Sequence, residues 1–129
     1  MPTRETHFLY PAALFASKDA VTVSTILGSC VAVCLFDKSK NIGGINHFML
    51  PLWNGQGLES PKYGNVAIRK LLQKLESLGC RKEDLIAKIF GGGEVIETGT
   101  HFQIGARNIQ TAEEELKALG IPIVARSTG

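Results

Sequence analysis

Two segments with helical spacing of apolar residues, set among short runs of β-branched residues, constrain the fold most strongly. The first segment is predicted to begin at Ser60-Pro61, with serine as the N-cap and proline as the first helical residue, and to end at Gly79. The second is predicted to begin at Asn108 and to end at Gly120. Strands are predicted in residues 21–36, with a bend at Gly28-Ser29 between two strands, and in residues 42–50, 85–90, 102–104 and 121–125.

The order of these segments predicts an α/β fold built in layers. Strands outnumber helices, and both helices are amphipathic, so each helix is expected to cover a face of a mixed or antiparallel β-sheet. The chain has 129 residues, of which 44% are hydrophobic and 20% are charged, and this suits one domain with a substantial core. We therefore expect a layered α/β sandwich that occupies residues 1–129.

Charge and cysteine content restrict the class of protein. The net charge is only +2 and the basic residues are scattered, so neither nucleic acid nor an anionic membrane surface is a predicted partner. Residues 8–16 are apolar, but Pro11 interrupts them and they are too few to cross a bilayer, so we expect neither a signal peptide nor membrane insertion. Three cysteines without Cys-x-x-Cys spacing favour reduced thiols over disulfides, and hence a cytoplasmic protein.

The segment around Cys30 is the first candidate for chemistry. A cysteine directly after the Gly28-Ser29 bend can be presented at the end of a strand, with backbone N–H groups free to bind an oxyanion. The alternative is that Cys30 is a small buried hydrophobic residue, as most free cysteines are. Cys34 lies four residues further on, within the predicted strand, and is interpreted as a core residue.

His47 is the second candidate, in the segment Asn46-His47-Phe48. A histidine between apolar strand residues is usually structural, but a cysteine nucleophile needs a base, and imidazole acts as one near neutral pH. The strands of Cys30 and His47 could be neighbours through the polar turn at residues 37–41. Ser24 and Thr25 precede the cysteine on adjacent positions, so their side chains point to opposite faces and only one of them can face its surroundings.

Two further patterns are weaker. Gly91-Gly92-Gly93 is not followed by Gly-Lys-Ser/Thr, so a sharp turn beside the site explains this run as well as a phosphate loop does. A metal site formed by Cys30, His47 and His101 matches no usual ligand spacing. We predict no metal and no other cofactor.

Taken together, these segments resemble the CheD family of chemoreceptor glutamine deamidases. The resemblance covers nearly the whole chain, and its first two motifs carry most of the weight. Those motifs are Leu27-Gly28-Ser29-Cys30-Val31-Ala32-Val33 with Asp37, and Gly43-Gly44 with Asn46-His47-Phe48-Met49-Leu50-Pro51; Tyr63, Gly91-Gly92 and Ile104-Gly105-Ala106-Arg107-Asn108 add support.

The resemblance implies a layered α/β sandwich and a thiol mechanism. Cys30 would attack the side-chain amide of a glutamine, and His47 would act as base and then protonate the leaving ammonia. The third catalytic residue of the family is a threonine, which falls on Thr25 by residue type or on Ser24 when counted without a gap. The resemblance also suggests residues that contact the substrate, namely Gly28, Ser29, Asn46, Gly91 and Gly92.

The resemblance also implies partners. The substrate would be the cytoplasmic domain of a methyl-accepting chemoreceptor, and family members also act on methylated glutamates and bind a CheC-type phosphatase. An alternative function is therefore a non-catalytic binding module that docks and regulates such a phosphatase. Family members continue into further strands beyond the position of Gly129, so we expect those C-terminal strands to be missing here.

Overall fold

The computed structural model describes residues 5–94 and 103–129. These residues form seven strands, two α-helices and one short 3-10 helix. Neither α-helix has the length and apolar character that crossing a membrane requires. The elements are β1 (Glu5–Phe8), β2 (Leu14–Ser17), β3 (Val21–Ser24), β4 (Val31–Asp37), β5 (Ile42–Asn46), α1 (Gly64–Ser77), the 3-10 helix (Lys82–Asp84), β6 (Leu85–Gly91), α2 (Ile104–Leu119) and β7 (Ile123–Thr128).

Five strands form one mixed sheet in the order β2-β5-β4-β6-β7. Its pairs are antiparallel except for β6 and β7, which run parallel. β1 and β3 form a separate parallel pair. The predicted α/β class, with a mixed sheet and two helices, is confirmed.

Both helices pack on the same face of the five-stranded sheet. Alternate residues of β4, namely Val31, Val33 and Leu35, are at most 1% exposed and belong to one core with Leu71 of α1 and Leu116 of α2. This core contains apolar residues of both helices and of the three central strands, and its burial is the main source of stability that these elements share.

The opposite face of the sheet carries the other set of alternating side chains. Cys34 of β4 lies opposite Ile45 of β5, which in turn lies opposite Phe15 of β2, so the three side chains share this face. His7 of β1 stacks on Phe15 with ring centroids 4.3 Å apart. The small β1–β3 sheet therefore contacts the face that the helices leave open.

The predicted start of the first helix was wrong, because residues 60–63 form a turn and a bridge to Leu50 instead. α1 begins at Gly64, and its N-cap, Tyr63, has extended backbone angles. Tyr63 donates its backbone N–H to the Ser60 carbonyl in a turn and bridges to Leu50. The predicted end is confirmed, since Gly79 has a φ of 100° and donates its N–H to Glu76.

The second predicted helix start was also wrong. α2 begins at Ile104, four residues before Asn108, and the carboxylate of Glu94 accepts the backbone N–H of Ala106 in its first turn at 2.9 Å. Because Ile104 is helical, the strand predicted over 102–104 is not formed there, and residue 102 lies outside the described residues. The predicted stop at Gly120 is confirmed by its left-handed φ of 74°.

The strands agree with expectation in the middle of the chain and differ at its start. β3, β4, β6 and β7 fall within or overlap the predicted runs, and β5 ends at Asn46, after which Phe48 and Leu50 make single bridges. The short strands β1 and β2 were not predicted. They lie on either side of Pro11, and each is four residues long.

Candidate active site

The Thr25 hydroxyl joins His47 to a backbone carbonyl. Its Oγ1 lies 2.7 Å from Nδ1 of His47 and 2.7 Å from the carbonyl oxygen of Leu9. A hydroxyl has one hydrogen to donate, and a carbonyl can only accept. Thr25 therefore donates to Leu9 and accepts from Nδ1–H of His47. In the neutral imidazole this leaves Nε2 as the nitrogen with the free lone pair.

Short segments of backbone place these three groups. Leu9 directly follows β1 and donates its N–H to the Ser24 carbonyl at 2.8 Å, which extends the β1–β3 pairing as far as Thr25. His47 directly follows β5, and its carbonyl accepts the N–H of Ala12 at 2.8 Å. The small parallel sheet thus places the Thr25 hydroxyl beside the imidazole of His47, which lies at the edge where β5 ends.

Cys30 lies on the same side of the sheet as His47. Val31 and Phe48 exchange two backbone hydrogen bonds of 3.0 and 2.9 Å, and this bridge continues the β4–β5 register. In that register Cys30 and His47 are diagonal neighbours on one face, a relation in which Cα atoms lie about 7–8 Å apart. Cys30 is partly exposed, whereas His47 is 1% exposed.

The thiol and the imidazole are not hydrogen-bonded to each other. Nε2 of His47 is buried and has no hydrogen-bond partner among the described residues. Burial lowers the pKa of His47 below 6.5, and burial raises the pKa of Cys30 above 9.0, although the backbone N–H of Cys30 partly opposes this rise. The resting pair near neutral pH is therefore a neutral thiol and a neutral imidazole.

The backbone carbonyl groups of Gly28, Ser29 and Cys30, at the bend that carries the nucleophile, all accept hydrogen bonds from other segments of the chain. Gly93 donates its N–H to the Gly28 carbonyl at 2.8 Å, and Gly92 donates to the Cys30 carbonyl at 2.9 Å. Between them, the carbonyl of Ser29 accepts Nδ2–H of Asn108 at 2.9 Å. The segment that carries the thiol is consequently fixed on both sides.

The backbone N–H of Cys30 is left open by a glycine turn. In a regular antiparallel ladder, residues 30 and 92 would exchange two hydrogen bonds, but only the one from Gly92 to Cys30 is formed. Gly91 and Gly92 have φ values of 97° and 75°, and the Gly92 carbonyl lies against Gly105 of α2 instead. Apart from its own sulfur, the N–H of Cys30 has no acceptor within residues 5–94 and 103–129.

Some of the predicted site residues lie at this centre, and others lie apart from it. Cys30, His47 and Thr25 lie together, with the Gly28-Ser29 bend and the Gly91-Gly92 turn beside them. Ser24 is exposed at the end of β3 and makes no side-chain hydrogen bond to His47, which Thr25 contacts.

Asn46 lies apart from the Cys30 side of the sheet. It is fully buried, and its Oδ1 accepts the backbone N–H of Val33 at 2.9 Å, which places the amide inside the protein next to the core strand. The interpretation of Cys34 as a core residue was wrong, because its side chain is only partly buried and lies on the face of the sheet opposite to the helices. Burial nevertheless raises its pKa to about 11. His101, the third residue of the alternative metal site, lies outside the described residues.

Sequence reasoning missed two contributors to the site. The first is the Leu9 carbonyl, which no side-chain pattern could have indicated. The second is Asn108, which was interpreted as a helix start and as the end of a motif in the CheD resemblance, without a role in the site. A signal for Asn108 was present, because it is in phase with the buried residues Ala112 and Leu116 of α2, and a polar residue in an apolar stripe calls for a hydrogen-bonding role.

The fold and the site define an α/β protein with a thiol and an imidazole on one face of its sheet. Residues 49–129 match the family model described as CheD chemotactic sensory transduction. A protein of Trichlorobacter lovleyi named "Probable chemoreceptor glutamine deamidase CheD" is 47% identical over 124 residues, which cover 95% of this chain and 77% of the relative. The chain belongs to the CheD family.

Two other relatives carry the same name. The protein of Sulfurimonas denitrificans is 43% identical over 97% of this chain and 81% of its own length, and that of Rhodospirillum rubrum is 46% identical over 95% of this chain and 69% of its own length. These similarities span nearly the whole chain, so they include the segments that carry Cys30 and His47.

We predict that His47 makes the fold less stable as the pH falls below 6.5. Because the pKa of buried His47 is lowered, the unfolded chain binds a proton more readily than the folded one between the folded pKa and 6.5. The contribution of neutral His47 to the free energy of unfolding is therefore fully present above pH 6.5. It decreases as the pH falls from 6.5 towards the pKa of the folded protein. Urea unfolding at a series of pH values should show a smaller acid loss for His47→Gln than for wild type or for His7→Gln. Equal losses in all three proteins would contradict the assignment.

Proposed function

We propose that this protein is a deamidase that hydrolyses glutamine side chains of chemoreceptors through the thiol of Cys30. The observation that carries the proposal is the contact of Thr25 with Nδ1 of His47, which leaves Nε2 as the basic nitrogen on the face that bears Cys30. The substrate class comes from the names of relatives that are 43–47% identical over nearly the whole chain.

The first half of the reaction forms a thioester. Nε2 of His47 accepts the thiol proton as the sulfur of Cys30 attacks the carboxamide carbon of glutamine. The oxyanion that forms is stabilised by the open backbone N–H of Cys30. The imidazolium then gives its proton to the leaving nitrogen, so ammonia departs and a glutamyl thioester remains.

The second half of the reaction releases glutamate. Water attacks the thioester carbon and gives a proton to Nε2 of His47, and the same N–H of Cys30 stabilises the second oxyanion. Collapse of this intermediate breaks the carbon–sulfur bond, and the proton returns from the imidazolium to the sulfur. The proton on Nδ1 of His47 stays hydrogen-bonded to Thr25 throughout, so one tautomer of the imidazole serves in both halves of the reaction.

Exposed apolar side chains around the site support a protein substrate. Tyr10 and Ile26 directly follow Leu9 and Thr25 and are 68% and 78% exposed. Leu52 is 60% exposed and lies two residues after the bridge that Leu50 makes to Tyr63. Exposed apolar groups that gather on one region of a surface commonly mark a protein-binding site. Large hydrophobic residues of the same segments that are also exposed are Phe8, Met49, Leu50 and Leu58.

A second candidate function is a binding module that docks a CheC-type phosphatase without catalysis. The observation that favours it is the absence of a hydrogen bond between Cys30 and Nε2 of His47, together with a thiol whose pKa is raised. In the deamidase proposal this resting arrangement is expected, because a neutral pair needs to exchange its proton only when the substrate arrives. The two functions differ in whether ammonia is released.

We predict that Cys30→Ala and His47→Gln each lower ammonia release from a receptor cytoplasmic fragment by at least about 10⁴-fold, since nucleophile and base act as a unit. Cys34→Ala and His7→Gln are matched controls and should retain activity. Cys34 is the other diagonal neighbour of His47 but lies within β4, opposite Ile45, and His7 stacks on Phe15. Ammonia release that persists in Cys30→Ala would remove the thiol mechanism. A folded wild-type protein that binds a phosphatase but releases no ammonia would establish the second candidate instead.

We predict that Thr25→Val lowers kcat by about 10²-fold, the lower end of what acid–base catalysis contributes. Valine has a similar shape but cannot accept Nδ1–H, so the imidazole loses the contact that selects its tautomer. Thr25→Ser keeps the hydroxyl and should stay close to wild type, and Ser24→Ala should have little effect. Comparable activity in Thr25→Val and Thr25→Ser, measured by ammonia release, would refute the role of the hydroxyl.

A further inference from the structure

We infer that Asn108 of α2 is a positioning residue that aims the backbone N–H of Cys30 at the reacting carbonyl group. This inference rests on the proposed function, because it concerns how the same site stabilises an oxyanion. Asn108 does not contact the thiol or the imidazole through any described hydrogen bond, so it would act only through the Ser29–Cys30 peptide.

The amide of Asn108 uses one hydrogen on the bend that carries the nucleophile and the other on the segment that follows His47. Its Nδ2 donates to the Ser29 carbonyl at 2.9 Å and to the Met49 carbonyl at 3.1 Å. Met49 stands opposite Cys30 in the register that the Val31–Phe48 bridge continues. One side chain from α2 thus ties together the two strand ends that bear Cys30 and His47.

The bond to Ser29 fixes the direction of the Cys30 N–H. In a trans peptide the C=O and the following N–H point in opposite directions within one plane. Because the Ser29 carbonyl is held on Asn108, the Cys30 N–H must point away from α2. The Gly91-Gly92 turn keeps the Gly92 carbonyl from capturing that N–H, as a regular ladder would.

The burial of Asn108 is costly without such a role. The residue is 0% exposed, and its Oδ1 has no hydrogen-bond partner within the described part of the chain. It stands in line with Ala112 and Leu116, where an apolar side chain would pack without this penalty. Breaking a local packing rule in this way is expected where a side chain serves function.

Two electrophiles that react with the thiol of Cys30 separate this role from a merely structural one. Iodoacetamide alkylates sulfur without forming an oxyanion. p-Nitrophenyl acetate acylates it through a tetrahedral oxyanion, with a new sulfur–carbon bond, release of p-nitrophenolate and transfer of the thiol proton to His47. Both rates at Cys30 would be followed by mass spectrometry of its peptide in wild type, Asn108→Ser and Asn108→Leu.

We expect acylation of Cys30 to fall by about 10-fold to 100-fold in the Asn108 variants, somewhat less than the loss of a whole oxyanion donor. Alkylation should change by less than about 3-fold, because it needs no such donor. Where deamidation is measurable, kcat should fall with acylation and KM should stay near wild type. Gln110→Ala, on the neighbouring solvent-facing position of α2, is the matched control and should leave both rates unchanged.

The ratio of the two rates decides the inference. A parallel change in both rates, or no change in either, would overturn it, and an unfolded variant would be recognised by faster alkylation. Because serine and leucine differ in size, the two variants disturb the packing around residue 108 in different ways. One variant that folds is sufficient for the test. The test does not depend on glutamine, so if wild type releases no ammonia the proposed function fails while the ratio still decides the role of Asn108.

Discussion

The hydrogen bond between Thr25 and His47 is the interaction on which the site depends. One hydroxyl, already committed to the Leu9 carbonyl, can only accept from the imidazole, and this assigns the proton to Nδ1. Leu9 and Thr25 are brought together by the β1–β3 pair, which lies on the face of the main sheet that the helices leave open. The small sheet therefore contributes little to the core and determines the state of the base.

The main sheet contributes the nucleophile by ending in an irregular way. β4 is a fully paired central strand, but beyond Val31 its ladder to β6 is replaced by a glycine turn and by the side chain of Asn108. All three carbonyl groups of residues 28–30 remain satisfied, and the Cys30 N–H is released. A strand end thus holds a thiol in place while the N–H of Cys30 has no acceptor on another residue of the described chain, a combination that a continuous ladder would not allow.

The sequence predicted the elements with strong periodicity, and with them the strands that carry Cys30 and His47. It could not choose between Ser24 and Thr25, because alternation shows that one of them faces the site but not which one. β1 and β2 were missed because four residues beside Pro11 give too little pattern, and the Ser60 cap was wrong because that segment pairs with Leu50. Leu9 acts through its backbone, and Asn108 acts through carbonyl groups far away in sequence, so local patterns do not show either role.

The proposed chemistry requires that His47 is a neutral imidazole with its proton on Nδ1 and its lone pair on Nε2. Nitrogen-15 NMR of the histidine rings reads this state directly, with His47→Gln identifying the signal. At neutral pH we expect Nδ1 of His47 to be protonated and Nε2 to have the shift of an unprotonated nitrogen. A proton on Nε2, or on both nitrogens, would show that Thr25 does not set the tautomer of the base.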